Sequence, residues 1–261
     1  MKLEQRGDIE MRYLRPFAMT LISATFLLFG LQPCWSQQAD AESGKQRPLA
    51  LIYRGPAGCD GCSEAMAKVL AGSRYKFRVE YVGPKDKPIS ADILSRAALY
   101  VQPGGGNDAV AAAKSIGKDS IGAVRDFVRR GGRYLGHCMG AYLAGSPGFE
   151  LIAGSPESYV GRPGSLVKNE DDTVTPVIWR GKKRWVYFQD GTVLPKNGAT
   201  VLAVYPNHDI AAAVYSFGNG RVGLVGPHPE ADQSWYDEFH LKDPDGMDLD
   251  LARDLLDSTM K

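Results

Sequence analysis

The stretch GRYLGHCMGAYLAG, residues 132–145, sets one cysteine, Cys138, between Gly136 and Gly140. A short apolar run precedes it and a small-residue run follows, so Cys138 falls at a strand-to-helix corner. A thiol there has two chemical advantages. Small neighbours permit a sharp turn, a nucleophile elbow, that lifts the side chain to the top of a sheet. The start of a helix favours the thiolate and offers backbone N–H groups to a developing oxyanion. A buried thiol that fills space at the corner would carry the same local pattern, so both readings stand on these residues alone.

Two further stretches bear on the choice. The run VGLVGPHPE ends in His228-Pro229-Glu230. Residues i and i+2 of extended backbone project to the same side, so Glu230 can accept a hydrogen bond from one nitrogen of His228. The other nitrogen is then free to take a proton from a thiol. The plainer alternative is a strand-end histidine beside a surface glutamate. Gly104-Gly105-Gly106 follows the apolar run ALYVQP, and a glycine loop there lets backbone amides approach a ligand closely, as an oxyanion hole requires. Nucleophile, base, orienting carboxylate and oxyanion loop all fall at expected strand ends, where the crevice of a doubly wound sheet lies.

The elements that would hold these residues alternate. Apolar runs at 48–55, 75–83, 98–102 and 133–138 read as strands, separated by helical spacing at 62–72, 90–98 and 119–132, with Ser90 as a cap. The alternation predicts an α/β fold: a doubly wound, mainly parallel sheet in a flavodoxin-like three-layer sandwich. The second half reads as antiparallel strand additions at 172–181, 182–191 and 199–207. A hairpin through Gly218-Asn219-Gly220 then leads back to the core sheet, and residues 247–260 close the chain as an amphipathic helix. Residues 48–261 are expected to form a single domain.

With 44% apolar and 23% charged residues in 261, the chain can bury a sizeable core. A net charge of +1 gives no electrostatic footprint for nucleic acid or an anionic membrane. Four cysteines are too few for a disulfide scaffold. Near the N-terminus, Arg12 and Arg15 precede the apolar run PFAMTLISATFLLFGL. A basic flank, a short apolar segment and small residues after it predict a signal peptide over residues 1–36, cleaved between Ser36 and Ala41. The protein is therefore expected to be exported, periplasmic or secreted, without stable membrane association after cleavage; an uncleaved N-terminal anchor is the alternative. Residues 37–47 would be a disordered lead-in.

Taken together, the elbow, the HPE and the glycine loop resemble the class I glutamine amidotransferase-like superfamily. More closely, LIYRGPAGCDGCSEA, YVQPGGGND, GGRYLGHCMGAYLAG and VGPHPE resemble the amidotransferase-like domain at the N-terminus of biotin–protein ligases, in its stand-alone exported form. The resemblance spans roughly residues 48–240. It implies Cys138 as nucleophile, His228 as base and Glu230 as orienter, with Gly104, Gly105, Gly106 and the Met139 amide as oxyanion donors. Glutamine-hydrolysing members carry a glutamine four residues after the nucleophile, where this chain has Tyr142, so glutamine is not the expected substrate.

Cys59 and Cys62, in CDGC, open a helix after the first strand. In an oxidising compartment a local disulfide is the simplest reading; a redox or metal role is the alternative. Tyr142 and His137 are candidates for shaping the substrate site, with packing the plainer role for His137. Asp243 to Asp248 reads as a solvated turn rather than a calcium loop, because Pro244 interrupts it and a terminal glutamate is missing. Trp179, Trp185, Tyr187 and Phe188 read as strand packing rather than carbohydrate stacking. The expected function is a cysteine-nucleophile hydrolase or amidase acting on a small amide or ester, with no cofactor and no metal. The alternatives are a non-catalytic ligand-binding or regulatory module on the same fold, and a thiol redox factor using the CDGC pair. The oligomeric state is not legible.

Overall fold

Five consecutive side chains of strand β1, Leu49–Tyr53, are buried, the pattern of a strand covered on both faces. In the computed structural model, which describes residues 47–261, β1 lies between β2 (Arg78–Val82) and β3 (Leu99–Gln102), parallel to both. β3 is followed in the sheet by β4 (Arg133–His137), again parallel. The signal peptide expected over 1–36 and the lead-in up to residue 46 lie outside the described residues.

Alternate residues of the sheet face different layers. Leu49, Leu51 and Tyr53 pack in one core with helices α2 (Ala91–Ser95), α3 (Ala109–Ile116) and α4 (Lys118–Arg129). Ala50 and Ile52 face the other way, towards α1 (Cys62–Ala71) and the closing helix, α7 (Leu249–Met260). This is the three-layer α/β sandwich that the alternation predicts. Ser90 caps α2 through a bond from the Ile93 N–H. Helix α3 escapes the sequence reading because AVAAAKSI is too uniformly small to show an apolar stripe; its cap, Asp108, accepts from the Ala111 N–H.

The nine-stranded sheet has the order β2-β1-β3-β4-β11-β10-β9-β6-β7. Its antiparallel part consists of β6 (Thr173–Trp179), β7 (Lys182–Phe188), β9 (Thr200–Val204) and β10 (Ile210–Phe217). The Gly218-Asn219 turn leads from β10 into β11 (Gly220–Val225), which returns to pair in parallel with β4. A separate two-stranded piece pairs β5 (Glu157–Ser158) with β8 (Thr192–Val193).

The turn expected to be solvated is exposed at Pro244, Asp245 and Gly246, and it is anchored at its end. Arg184 of β7 pairs with Asp245, Asp248 and Asp250 at 3.3, 2.8 and 2.7 Å, and Asp248 is buried. One guanidinium thus ties β7 to the start of α7, because five donors in a fixed fork can serve several carboxylates.

The corner after β4 depends on missing side chains. A Cβ at Gly140 would collide with the backbone carbonyl of Gln102 on β3, and one at Gly136 with the carbonyl of Gly140. Neither obstacle can rotate away. Gly140→Ala is therefore expected to destabilise the protein by about 2–3 kcal/mol. Urea unfolding should show a lower midpoint at unchanged slope; an unchanged midpoint would contradict the close approach.

Candidate active site

Cys138 follows β4 directly, at φ 48° and ψ −108°, a conformation that costs a residue with a Cβ about 1–3 kcal/mol. Its backbone N–H donates to the Val225 carbonyl at 2.9 Å, which fixes the elbow to the end of β11. The helix after it, α5, runs only over Met139–Tyr142. A single turn supplies little macrodipole, so what this corner offers is the Met139 N–H itself, which among the described residues has no backbone acceptor.

His228 lies in the loop after β11, and its N–H donates to the Tyr187 carbonyl of β7 at 2.8 Å. Its Nδ1 lies 2.9 Å from one carboxylate oxygen of Glu230, the pairing expected of an i, i+2 couple. The other oxygen of Glu230 lies 2.6 Å from Nδ1 of His137, the last residue of β4. Cys138, His228 and Glu230 are 3, 3 and 1% exposed, and His137 is fully buried. His137 therefore sits behind the carboxylate, in line with the plainer of its two expected roles, packing rather than shaping a substrate surface. It braces Glu230, a role beyond packing that could be found only by knowing that β4 and β11 are neighbours.

Burial disfavours charge on both members of the His228–Glu230 pair, and their surroundings outweigh it. Against burial, the fields of Cys138 and Glu230 and hydrogen bonds to both hold the His228 imidazole well above its ordinary range. Against burial again, the two imidazoles hold the Glu230 carboxyl well below its ordinary range. Glu230 thus stabilises the fold above its ordinary value of 4.5 and loses that contribution as pH falls through its depressed folded value. His228 contributes fully below its ordinary value of 6.5 and loses the contribution as pH rises through its elevated folded value. Thermal stability is expected to be greatest between about pH 4.5 and 6.5, with the alkaline fall reduced in His228→Phe. A melting profile flat from pH 4 to 9 would contradict the charged pair.

The glycine loop follows β3 and touches the base. A Cβ at Gly104 would lie 2.8 Å from Cε1 of His228, and one at Gly105 would lie 2.8 Å from the Ala57 carbonyl oxygen and 3.0 Å from Cγ of Met139. Gly106 faces open space, so close approach requires glycine at Gly104 and Gly105 but not there. Cys59 and Cys62 form a disulfide. Its loop leans on the glycine loop: the Cys59 N–H donates to the Gly104 carbonyl at 2.9 Å, and Gln102 Nε2 donates to the Ala57 carbonyl at 3.1 Å.

Tyr142 projects towards the stretch after β7, donating to the Asp190 carbonyl at 3.2 Å. Burial, with Asp190 nearby, pushes its phenol above its ordinary range. The Cys138 thiol lies 3.5 Å from the neighbouring Gln189 carbonyl. Tyr142 and Cys138 thus meet the same segment, 189–190, which the sequence reading did not single out. Among the described residues, no group of three or more His, Cys, Asp or Glu side chains is placed to hold a metal ion, and no helix is long and apolar enough to cross a membrane.

Two cavities flank the disulfide loop. The larger, about 710 Å³, lies between that loop and residues 84–86 and includes none of the three groups above. The smaller, about 280 Å³, is lined by His228 together with Gly105 and Gln189, and is the one that opens on the chemistry.

Residues 50–162 match the family model described as "Biotin-protein ligase, N terminal". Among solved structures, the chain is similar to PurLQS from Thermotoga maritima, at 18% identity and a TM-score of 0.59, covering 82% of this chain and 99% of that one. It is also similar to a glutamine amidotransferase from Thermotoga maritima, at 14% identity and a TM-score of 0.56, covering 83% of this chain and 99% of that one. At such identities the likeness is one of fold. No curated protein matches the chain.

Proposed function

We propose, from the match of residues 50–162 to the biotin-protein ligase N-terminal family model and from the amidotransferase-like fold, an exported cysteine-dependent amidase or hydrolase acting on a small amide or ester. The observation that carries this reading is the buried His228–Glu230 couple facing a thiol on a strained elbow. In the proposed reaction His228 already holds the proton given up by Cys138, and the sulfur attacks the acyl carbon. The N–H groups of Met139 and Gly105 receive the developing oxyanion. His228 returns the proton to the departing amine or alcohol, leaving a thioester. Water, deprotonated by His228, then attacks the thioester; the acid departs and the thiol is restored. Glu230 holds the imidazole and balances its charge throughout. Tyr142, where glutamine-hydrolysing relatives carry glutamine, supports a substrate other than glutamine.

The test is covalent trapping by a panel of electrophilic amide analogues, read by mass spectrometry. Cys138 should be modified selectively, and His228→Ala should slow the modification by about 10²–10⁴-fold. Modification no faster than that of a free thiol, or indifferent to His228, would sink the triad.

The near-complete burial of Cys138 favours a second reading, a module that binds a ligand and turns nothing over. That reading predicts ligand affinity unchanged in Cys138→Ser and no turnover across an amide and ester panel.

A further inference from the structure

The cavity that opens on His228 has a distinctive wall. Asp60 of the disulfide loop, Asp172 before β6 and Glu238 at the end of α6 (Gln233–Glu238) contribute carboxylates to it, and no lysine or arginine lines it. Among the described residues none of these three carboxylates is in an ion pair, although most of the arginines of the fold hold one or more carboxylates. Asp172 accepts only the Tyr187 hydroxyl, and together with Glu238 its field helps to keep that phenol protonated, after the larger effect of burial.

The rest of the wall is aromatic. Tyr187 and Trp235 meet edge to face at 5.4 Å between centroids, the Trp235 ring lies 5.3 Å from that of His228, and Phe239 stands 46% exposed at the rim. A cation set among π-faces and unpaired carboxylates is attracted by both. An anion meets only repulsion there, and a neutral apolar group leaves the carboxylates without a partner. His228 adds no net positive charge, because Glu230 balances it from behind.

We propose that this cavity selects an organic cation, so that the substrate of the site is an amide or ester whose non-scissile part carries an ammonium or guanidinium group. The proposal rests on the reading of Cys138 and His228 as the reacting pair, and deepens it. Asp172, Glu238 and Asp60 determine the charge that is accepted; Trp235 and Tyr187 determine its shape.

The experiment is calorimetric titration of the full-length Cys138→Ala protein with three linear primary amides that differ only at the far end: ω-aminohexanamide, heptanamide and adipic acid monoamide. With the thiol absent, the result does not depend on turnover. The amine is expected to bind at least about tenfold tighter than heptanamide, with the acid weakest. Added salt should narrow the gap. Adding Glu238→Gln, and separately Asp172→Asn, should bring the amine towards heptanamide and leave heptanamide unchanged; Glu238 is exposed, so its variant keeps the test alive if Asp172→Asn does not fold. Equal or tighter binding of heptanamide or the acid, a preference untouched by both variants, or no binding of the amine overturns the proposal. If the preference holds while electrophiles fail to label Cys138 in the wild-type protein, the hydrolase reading falls and the cation cavity stands.

Discussion

Glu230→Gln is expected to lower turnover by about 10³–10⁴-fold and to cost about 3–5 kcal/mol of stability in the same protein. The carboxylate of Glu230 receives His228 on one oxygen and His137 on the other, at 2.9 and 2.6 Å, with almost no access to water. A glutamine has the same shape but only one acceptor oxygen, and its amide nitrogen would set N–H against the Nδ1 side of one of the rings. Whichever imidazole loses its acceptor is left in a dry site with an unmatched donor, and His228 also loses the charge that balances its protonated form. Kinetics across a substrate panel and denaturant unfolding should therefore change together. A variant that keeps turnover within tenfold of wild type would show that the carboxylate does not serve the reaction, and one that unfolds at the wild-type midpoint would show that it does not hold the fold.

Cys138→Ala should reduce turnover to background, a loss of at least about 10⁴-fold, because Cys138 is the proposed nucleophile and its thiol is hydrogen-bonded to the imidazole. The substitution has a second, independent signature. The field of Cys138 and its hydrogen bond are among the causes that raise His228, so removing the thiol should bring the imidazole down towards its ordinary value, with Glu230 still holding it up in part. A proton NMR titration of the ring reads that shift without any substrate. The elbow gives a third comparison. At φ 48° and ψ −108° a Cβ is strained, so Cys138→Gly should be about 1–2 kcal/mol more stable than Cys138→Ala while equally inactive. Unaltered titration of His228, or equal stability of the two variants, would count against the described geometry.

What the sequence made legible was local. The His228–Glu230 pairing was legible from spacing alone, although a turn closed by the Ala231 N–H on the His228 carbonyl, and not extended backbone, brings the two together. The glycines around Cys138 announce a corner where nothing larger fits. Strand and helix alternation likewise survives without knowledge of tertiary contacts, because parallel strands covered on both faces are continuous apolar runs. What stayed hidden needed strand order. His137 reaches Glu230 across 93 residues, only because β11 returns to lie beside β4 with Val225 opposite His137. The cavity was hidden for the same reason, since its wall draws on the 59–60 loop, the start of β6, the end of β7 and α6. Tyr187 shows how one residue can serve two readings: it is buried strand packing and also cavity wall. Helix α6, capped by Asp232, is too short for periodicity to reveal.

The path of the chain through the sheet carries a consequence in time. Cys138 and His137 are laid down at the end of β4, whereas their partners arrive only after the whole antiparallel extension has been made and β11 has closed against β4. A chain synthesised or threaded from its N-terminus therefore presents the thiol long before the imidazole and carboxylate that would activate it. An incomplete product that ends between residues 138 and 227 carries the thiol without the imidazole proposed as its base. In the proposed reading, reactivity is thereby deferred to a late stage of assembly, and a molecule acquires it only by closing β11 against β4.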